Sequence, residues 1–310
     1  MNIRNNMNYI KVSEAAKKWG ISTRRVRTLC EDGRIAGVER RGNLYYIPAD
    51  APKPADARES KNHSYSPMLQ HIDDLKKTLD EFRPLTPGET EAIRNLFIVE
   101  HTYNSNAIEG NTLTLQETAL VLQGITIDQK PLKDHLEVVG YKDAFDYIET
   151  LAKQKDALTQ FEIKRIHALV LANRPDDRGV FRRVNVRIAG ALTEPIAPYL
   201  IEEHIVKLLA DFQSWNQHKH IVECIALFHL KFESIHPFID GNGRTGRLLM
   251  NLQLIQNGLP PISVKYEDRR RYYEAFDIYS KTQDVTPMVQ LIGESIVSQL
   301  RELLKMIHPE

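Results

Sequence analysis

The chain has 310 residues, enough for two compact units or for one large domain with an appendage. Hydrophobic residues make up 42% and charged residues 26%, an ordinary globular balance that builds a core without covalent staples. Lys plus Arg and Asp plus Glu both number 41, so no net field points to nucleic acid or a membrane. The two cysteines, Cys30 and Cys224, are too far apart in sequence to suggest a CxxC zinc site or a disulfide framework.

No apolar run approaches the roughly 20 residues that span a bilayer. The first residues also lack the apolar stretch of a secretory signal. The expectation is a cytoplasmic protein with no membrane segment.

Residues 1–50 read as a small unit in which basic side chains outnumber acidic ones about two to one. The stretch EAAKKWG predicts a helix stopped by Gly20, and Ser22 can cap a second helix over TRRVRTLCEDG. Arg40-Arg41-Gly42-Asn43 before LYYI predicts a small hairpin. Two short helices joined by a glycine-containing turn and followed by a hairpin fit a winged helix-turn-helix. Arg24, Arg25 and Arg27 near the start of the second helix are candidates for phosphate contacts. Such modules bind DNA or serve as protein adaptors, and both options stay open here.

Residues 51–70, rich in Pro, Ala, Ser and charge, read as a linker. Helical periodicity dominates beyond it, in a part over 71–155 and a second over 156–310. In the first part Ser105 and Glu109 are four residues apart and share a helix face that Gly110 would end. Taken alone, Glu109 is an ordinary solvated carboxylate. Residues 184–188, VNVRI, alternate with period two and predict a short strand or hairpin. Residues Ile221–Phe232 predict a buried helix. Another should start after the glycines at 241–246 and stop at Asn257-Gly258, before Pro260-Pro261. The last stretch, PMVQLIGESIVSQLRELLKMI, predicts an amphipathic packing helix.

The chemistry concentrates in His236-Pro237-Phe238-Ile239-Asp240-Gly241-Asn242-Gly243-Arg244-Thr245-Gly246-Arg247. Glycines allow close approach of backbone N–H groups, and a helix N-terminus favours anions. Arginines pair with phosphate oxygens, a carboxylate can hold Mg2+, and histidine takes protons near neutral pH. Gly241, Gly243 and Gly246 also satisfy the dinucleotide fingerprint, with Glu267 or Asp268 about 20 residues later. That fingerprint needs a preceding strand, whereas a helix-like stretch precedes it here. A metal site from His229, Glu233 and His236 is disfavoured by Pro237 and by the lack of further ligands, which leaves His229 as a packing residue.

The segment resembles the signature of the Fic family, HPFx(D/E)GNGRxxR, at every fixed position. The resemblance implies a mainly α Fic helical bundle with a β-hairpin flap, its catalytic core and C-terminal helix within 156–310. It implies a nucleotidyltransferase that moves AMP from ATP onto a Ser, Thr or Tyr hydroxyl of a target protein (AMPylation). His236 would be the base and Asp240 the Mg2+ ligand. Gly241, Asn242, Gly243, Arg244 and Arg247 would bind phosphates. Asp268-Arg269 with Tyr272 and Tyr273 is similar to the region that closes over adenine in relatives, although Ser280 stands where some relatives carry asparagine. Val186, Arg187 and Ile188, after Phe181-Arg182, resemble the flap that docks the target as an added strand. The intact GNGR separates the chain from the phosphotransferring Doc branch.

Given that signature, Ser105 and Glu109 resemble the inhibitory motif (S/T)xxxE(G/N), so Glu109 would pair with Arg247. The N-terminal stretch resembles MerR and excisionase-type modules. The other functions implied are a DNA-binding regulator with a nucleotide-sensing Fic portion and a deadenylylase that uses Glu109. A homodimer is also left open.

Overall fold

The computed structural model describes residues 9–31, 35, 37–42, 44–49, 51–53, 65–82, 84–154, 157–187 and 194–307. The chain divides into two compact units, Met1–His63 and Ser64–Glu310.

The first unit contains β1 (Tyr9–Lys11), α1 (Val12–Trp19), α2 (Thr23–Glu31), β2 (Glu39–Arg41) and β3 (Leu44–Pro48). Gly20 stops α1 in the left-handed region at φ 66°, where glycine carries no Cβ penalty. Ser22 Oγ accepts from the N–H of Arg25 at 3.2 Å and caps α2. The strands form an antiparallel sheet in the order β1-β3-β2, with Arg41 opposite Leu44 at the tip of the β2–β3 hairpin. Ala15, Ala16, Trp19, Val26, Leu29 and Ile47 close a small core.

Ala51 packs into this core, and the next helix already begins at Ser66. The linker expected over 51–70 is therefore shorter at both ends, and its residues 54–64 lie outside the described residues.

The second unit is helical, built from α3 (Ser66–Asp80), α4 (Pro87–Ile108), α5 (Leu115–Leu122), α6 (Leu132–Gln154), α7 (Gln160–Val170), α8 (Ile201–Trp215), α9 (Ile221–Ile235), α10 (Asn242–Gln256), α11 (Arg269–Thr282) and α12 (Thr286–Ile307). Thr86 with Glu89, and Thr114 with Glu117, form reciprocal capping boxes that start α4 and α5.

Helices α9 and α10 are apolar on two sides because they divide two cores. Val222, Ile225, Met250 and Leu254 face one cluster, with α3, α11 and α12. Phe228, Phe232, Leu248 and Leu252 face the other, with α6, α7 and α8. The turn joining α9 to α10 is thus anchored by the most buried pair of helices in the unit.

The strand expected over 184–188 is not formed where it is described. Residues 184–187 are irregular, with a bend at Val184 and no ladder, and Ile188 lies outside the described residues. Period-two alternation supplies the side-chain pattern of a strand, but a strand also needs a partner for its backbone groups. No described helix is long and apolar enough to cross a membrane.

Candidate active site

The α9–α10 turn is held from several directions. His236 closes α9 in the left-handed region (φ 49°, ψ 61°), a strained place for a non-glycine residue. Its N–H donates to Phe232 O at 3.0 Å, and its carbonyl accepts from Arg182 Nε at 2.8 Å. Arg182 is buried and also donates to the carbonyls of Val184, Ile196 and Ile235, so its guanidinium serves as a backbone clamp.

Phe238 is fully buried and stacks on the His167 ring at 3.6 Å and 4°. His167 Nδ1 accepts from the N–H of Gly179 at 2.9 Å, which leaves Nε2 to donate to Asp240 O at 2.9 Å. Burial, joined by Arg244, pushes the His167 pKa down to about 4, which keeps the ring neutral in these roles. Sequence reasoning missed His167, since one histidine inside an amphipathic helix carries no motif.

Asn242 differs from expectation. Its side chain is buried, accepting from Phe238 N at 2.9 Å and donating to Phe238 O at 2.9 Å. Both ends are committed to the turn, so the amide staples the turn and is not available to a phosphate. Asn242→Ala would leave both Phe238 groups buried and unpaired, a cost of about 2–3 kcal/mol. The expected result is a Tm several degrees lower in thermal unfolding. An unchanged Tm would contradict the staple.

At the start of α10 the first-turn N–H groups have no carbonyl within the helix to bond. Gly241 sits at φ 74° beside the His167 ring. A Cβ on Gly243 would collide with the Glu109 carboxylate. Asp240 Oδ1 accepts from the Gly241 N–H at 2.6 Å, and Oδ2 lies 3.2 Å from Arg174. Burial alone would raise the Asp240 pKa. Arg244, the Gly241 N–H and Arg174 outweigh it and hold the carboxyl below its ordinary value.

Arg244 and Arg247 are both buried. Arg247 Nε donates to Ser105 Oγ at 2.9 Å, and its NH2 donates to Ser105 O at 2.8 Å and to Glu109 Oε1 at 2.7 Å. Ser105 and Glu109 come from the last turn and the C-cap of α4. A carboxylate at a helix C-terminus opposes the helix dipole, so Glu109 depends on Arg247 for its compensation.

Tyr272 also differs from expectation. It is 2% exposed, too deep to close over a base. Its hydroxyl meets His229 Nε2 at 2.7 Å and Arg247 NH1 at 3.5 Å, so it supports the arginine from behind. Tyr273 is half-exposed, and its hydroxyl donates to Ile108 O at 3.2 Å, beside Glu109. His229 is fully buried, as expected of a packing residue.

Two titratable groups are displaced here in opposite senses. Burial, joined by the Arg182 charge, pushes His236 down to about 4, so the imidazole is neutral at physiological pH. Burial, joined by the Glu109 carboxylate, pushes Glu233 up to about 8. Glu233 Oε2 lies 3.8 Å from His236 Nδ1. A carboxyl whose folded pKa is raised stabilises the fold below its unfolded value, near 4.5, and that advantage fades as pH rises to about 8. Glu233→Gln removes the titration. Its Tm relative to wild type is expected to be higher at pH 8 than at pH 5, and a difference independent of pH would contradict the shift.

Of the other predicted residues, Val186 and Arg187 lie in the irregular stretch before the undescribed segment, with Arg187 exposed near Glu194. Arg24, Arg25 and Arg27 lie on α2, in the other unit.

Fold and site together define a helical protein whose central helix turn combines a neutral histidine, an ionised carboxylate and two buried arginines at a helix N-terminus. Such an arrangement suits an anion. Residues 157–254 match the Fic/DOC family, so the chain carries a Fic domain.

The protein adenylyltransferase Fic of Nematostella vectensis is 35% identical over 234 residues, covering 73% of this chain and 53% of that protein. The protein of the same name from Aedes aegypti is 32% identical over 270 residues, covering 82% and 53%. The chain thus spans about half the length of the curated relatives it matches. A Fic domain-containing signaling protein from Bacteroides thetaiotaomicron superimposes with a TM-score of 0.70 at 26% identity, over 77% of this chain and 97% of that one. Fic-1 from C. elegans gives 0.66 at 28% identity, over 77% and 71%.

Proposed function

We propose that this chain is a protein adenylyltransferase held inactive by its own Glu109. The observation that carries the proposal is the Glu109 carboxylate lying on Arg247 in the second turn of α10. The same contact that would anchor the terminal phosphates of ATP is taken by a residue of the chain. The relatives named protein adenylyltransferase Fic support the chemistry.

In this reaction the target hydroxyl oxygen bonds to the α-phosphorus, and the bond from that phosphorus to the bridging oxygen breaks. Pyrophosphate leaves with the electron pair, and the hydroxyl proton passes to His236. Its Nε2, the ring nitrogen away from Glu233, is the proton acceptor. The first-turn N–H groups of α10 face the α-phosphate, and Arg244 and Arg247 hold the β- and γ-phosphates. Asp240 is a single, half-exposed, ionised carboxylate. That donor suits Mg2+, which is held by one or two carboxylates plus substrate phosphates. Mg2+ would neutralise charge on the leaving pyrophosphate.

The test is transfer of label to protein from α-labelled ATP but not from γ-labelled ATP. Label from γ-labelled ATP alone would replace adenylyl transfer by phosphoryl transfer. Release of AMP from a pre-modified protein would instead assign Glu109 the reverse, hydrolytic role.

The first unit supports a second reading, a DNA contact. Arg24 and Arg27 are exposed on α2, and Arg40 and Arg41 are exposed on the neighbouring hairpin. If these arginines bind duplex DNA, the full chain should bind with an affinity that falls steeply with salt. Arg24→Ala with Arg27→Ala should lower that slope, and binding that is absent or insensitive to salt would reject it. An exposed stripe on α6, Leu132, Leu136 and Val139, supports homodimerisation, which sedimentation of Leu132→Asp against wild type would test.

A further inference from the structure

Each arginine of α10 is met by a carboxylate from another helix. For Arg247 it is Glu109. For Arg244 it is Glu137 of α6, whose Oε1 lies 3.3 Å from NH1, with 7% of the Glu137 side chain exposed. The other Glu137 oxygen, Oε2, accepts from Asn111 Nδ2 at 3.0 Å. Asn111 lies two residues beyond Glu109, and its N–H returns to Asn106 O at 3.1 Å, so it is fixed to the end of α4. Asn111 Nδ2 also donates to Asp134 O at 3.1 Å, and Thr112 donates its N–H and hydroxyl to Asp134 Oδ2. The chain leaving the Glu109 helix is thereby clamped to the first turns of α6, and those turns carry the carboxylate that faces Arg244.

The Arg244 guanidinium is buried but not saturated. Among the described residues its Nε and NH1 have no hydrogen-bond partner, and NH2 lies 3.5 Å from Asp240 Oδ1. Glu137 neutralises NH1 at ion-pair distance without taking a well-aligned hydrogen bond from it. A buried cation with donors to spare, held by a carboxylate on one side, is preorganised for an anion on the other. Lys133 also approaches Glu137, at 3.6 Å, but it is exposed and screened.

We propose that Glu137 is a positioning residue that aims Arg244 at the nucleotide phosphates and, through Asn111, ties that aim to the end of the Glu109 helix. The proposal rests on the assignment of α10's N-terminus as the triphosphate site. Glu137 touches no nucleotide and acts through Arg244. A displacement of the α4 end would then disturb both arginines together, Arg247 through Glu109 and Arg244 through Asn111 and Glu137.

The test is binding rather than transfer. Calorimetry of the full chain with Mg2+ and α,β-methylene ATP, which cannot donate AMP, is done in the Glu109→Gly background. Glu137→Gln keeps the shape and the Asn111 bond, and it is expected to weaken binding about 10-fold, with Arg244→Ala weakening it at least as much. The double variant is expected to bind within about two-fold of Arg244→Ala alone, because Glu137 has no effect without its arginine. A role in folding alone would not give that non-additivity. Asn111→Ala, which leaves the Glu137–Arg244 contact in place, is expected to cost about 3-fold in the wild-type background. Unchanged binding in Glu137→Gln, or additive losses in the double variant, would overturn the positioning role. Unchanged binding in Asn111→Ala would overturn the tie to the helix end. If Arg244→Ala itself binds normally, the phosphate assignment fails first and the proposal fails with it.

Discussion

Replacing Glu109 by glycine is expected to raise transfer of AMP from α-labelled ATP about 100-fold, a change that corresponds to roughly 2.7 kcal/mol. The contact it removes is of that order. Arg247 is 1% exposed, Glu109 is 33% exposed, and their atoms meet at 2.7 Å. Unit charges about 4 Å apart attract by about 4 kcal/mol where the effective dielectric constant is near 20. Solvent at the exposed side of Glu109 discounts that figure. Two features keep the substitution from being a simple loss of stability. Arg247 retains both bonds to Ser105. The carboxylate removed also sits at a helix C-terminus, where the dipole disfavours it. A glycine variant that labels no faster than wild type, with its Tm preserved, would reject Glu109 as the brake.

Replacing His236 by alanine in that released background is expected to lower transfer by at least about 100-fold while nucleotide binding stays within about two-fold. General bases contribute roughly 10²–10⁴ in rate. His236 is suited to the role because burial and Arg182 push its pKa down to about 4. A base acts when unprotonated, so the rate rises with pH through about 4 and is level above it. The released enzyme should therefore show a flat kcat/KM from pH 6 to 8. A limb near the ordinary histidine value, about 6.5, would show that this environment is not the working one. Transfer that survives the substitution would remove His236 from the chemistry.

Local features are legible in the sequence. Gly20 and Ser22 mark the turn between α1 and α2, and Gly110 follows the end of α4 because its φ of 89° suits no other residue well. The α9–α10 turn was visible as a histidine before proline and a glycine-rich start of a helix. The misplaced expectations share one cause. Residues 184–187 alternate like a strand, yet alternation does not provide the partner that a ladder needs. Asn242 stands in a phosphate-binding pattern and Tyr272 in a stretch similar to the region that closes over adenine, yet their side chains turn inward, onto Phe238 and onto His229 with Arg247.

By itself the sequence determined what depends on neighbours a few residues apart. Those are the helix stops and caps, the face shared by Ser105 and Glu109, and the contiguous run from His236 to Arg247, because helical pitch and glycine freedom are local properties. Only the tertiary structure decided which partners meet across the chain. Glu109 reaches Arg247 across 138 residues, and His167 reaches Asp240 across 73. Glu137 stands against Arg244 in the same way. These encounters depend on how α4, α6 and α7 pack around α9 and α10. Burial then does what no motif can specify. It leaves His236 neutral and raises Glu233, while neighbouring charges keep Asp240 ionised, since the cost of a charge depends on the water and countercharges that packing leaves around it.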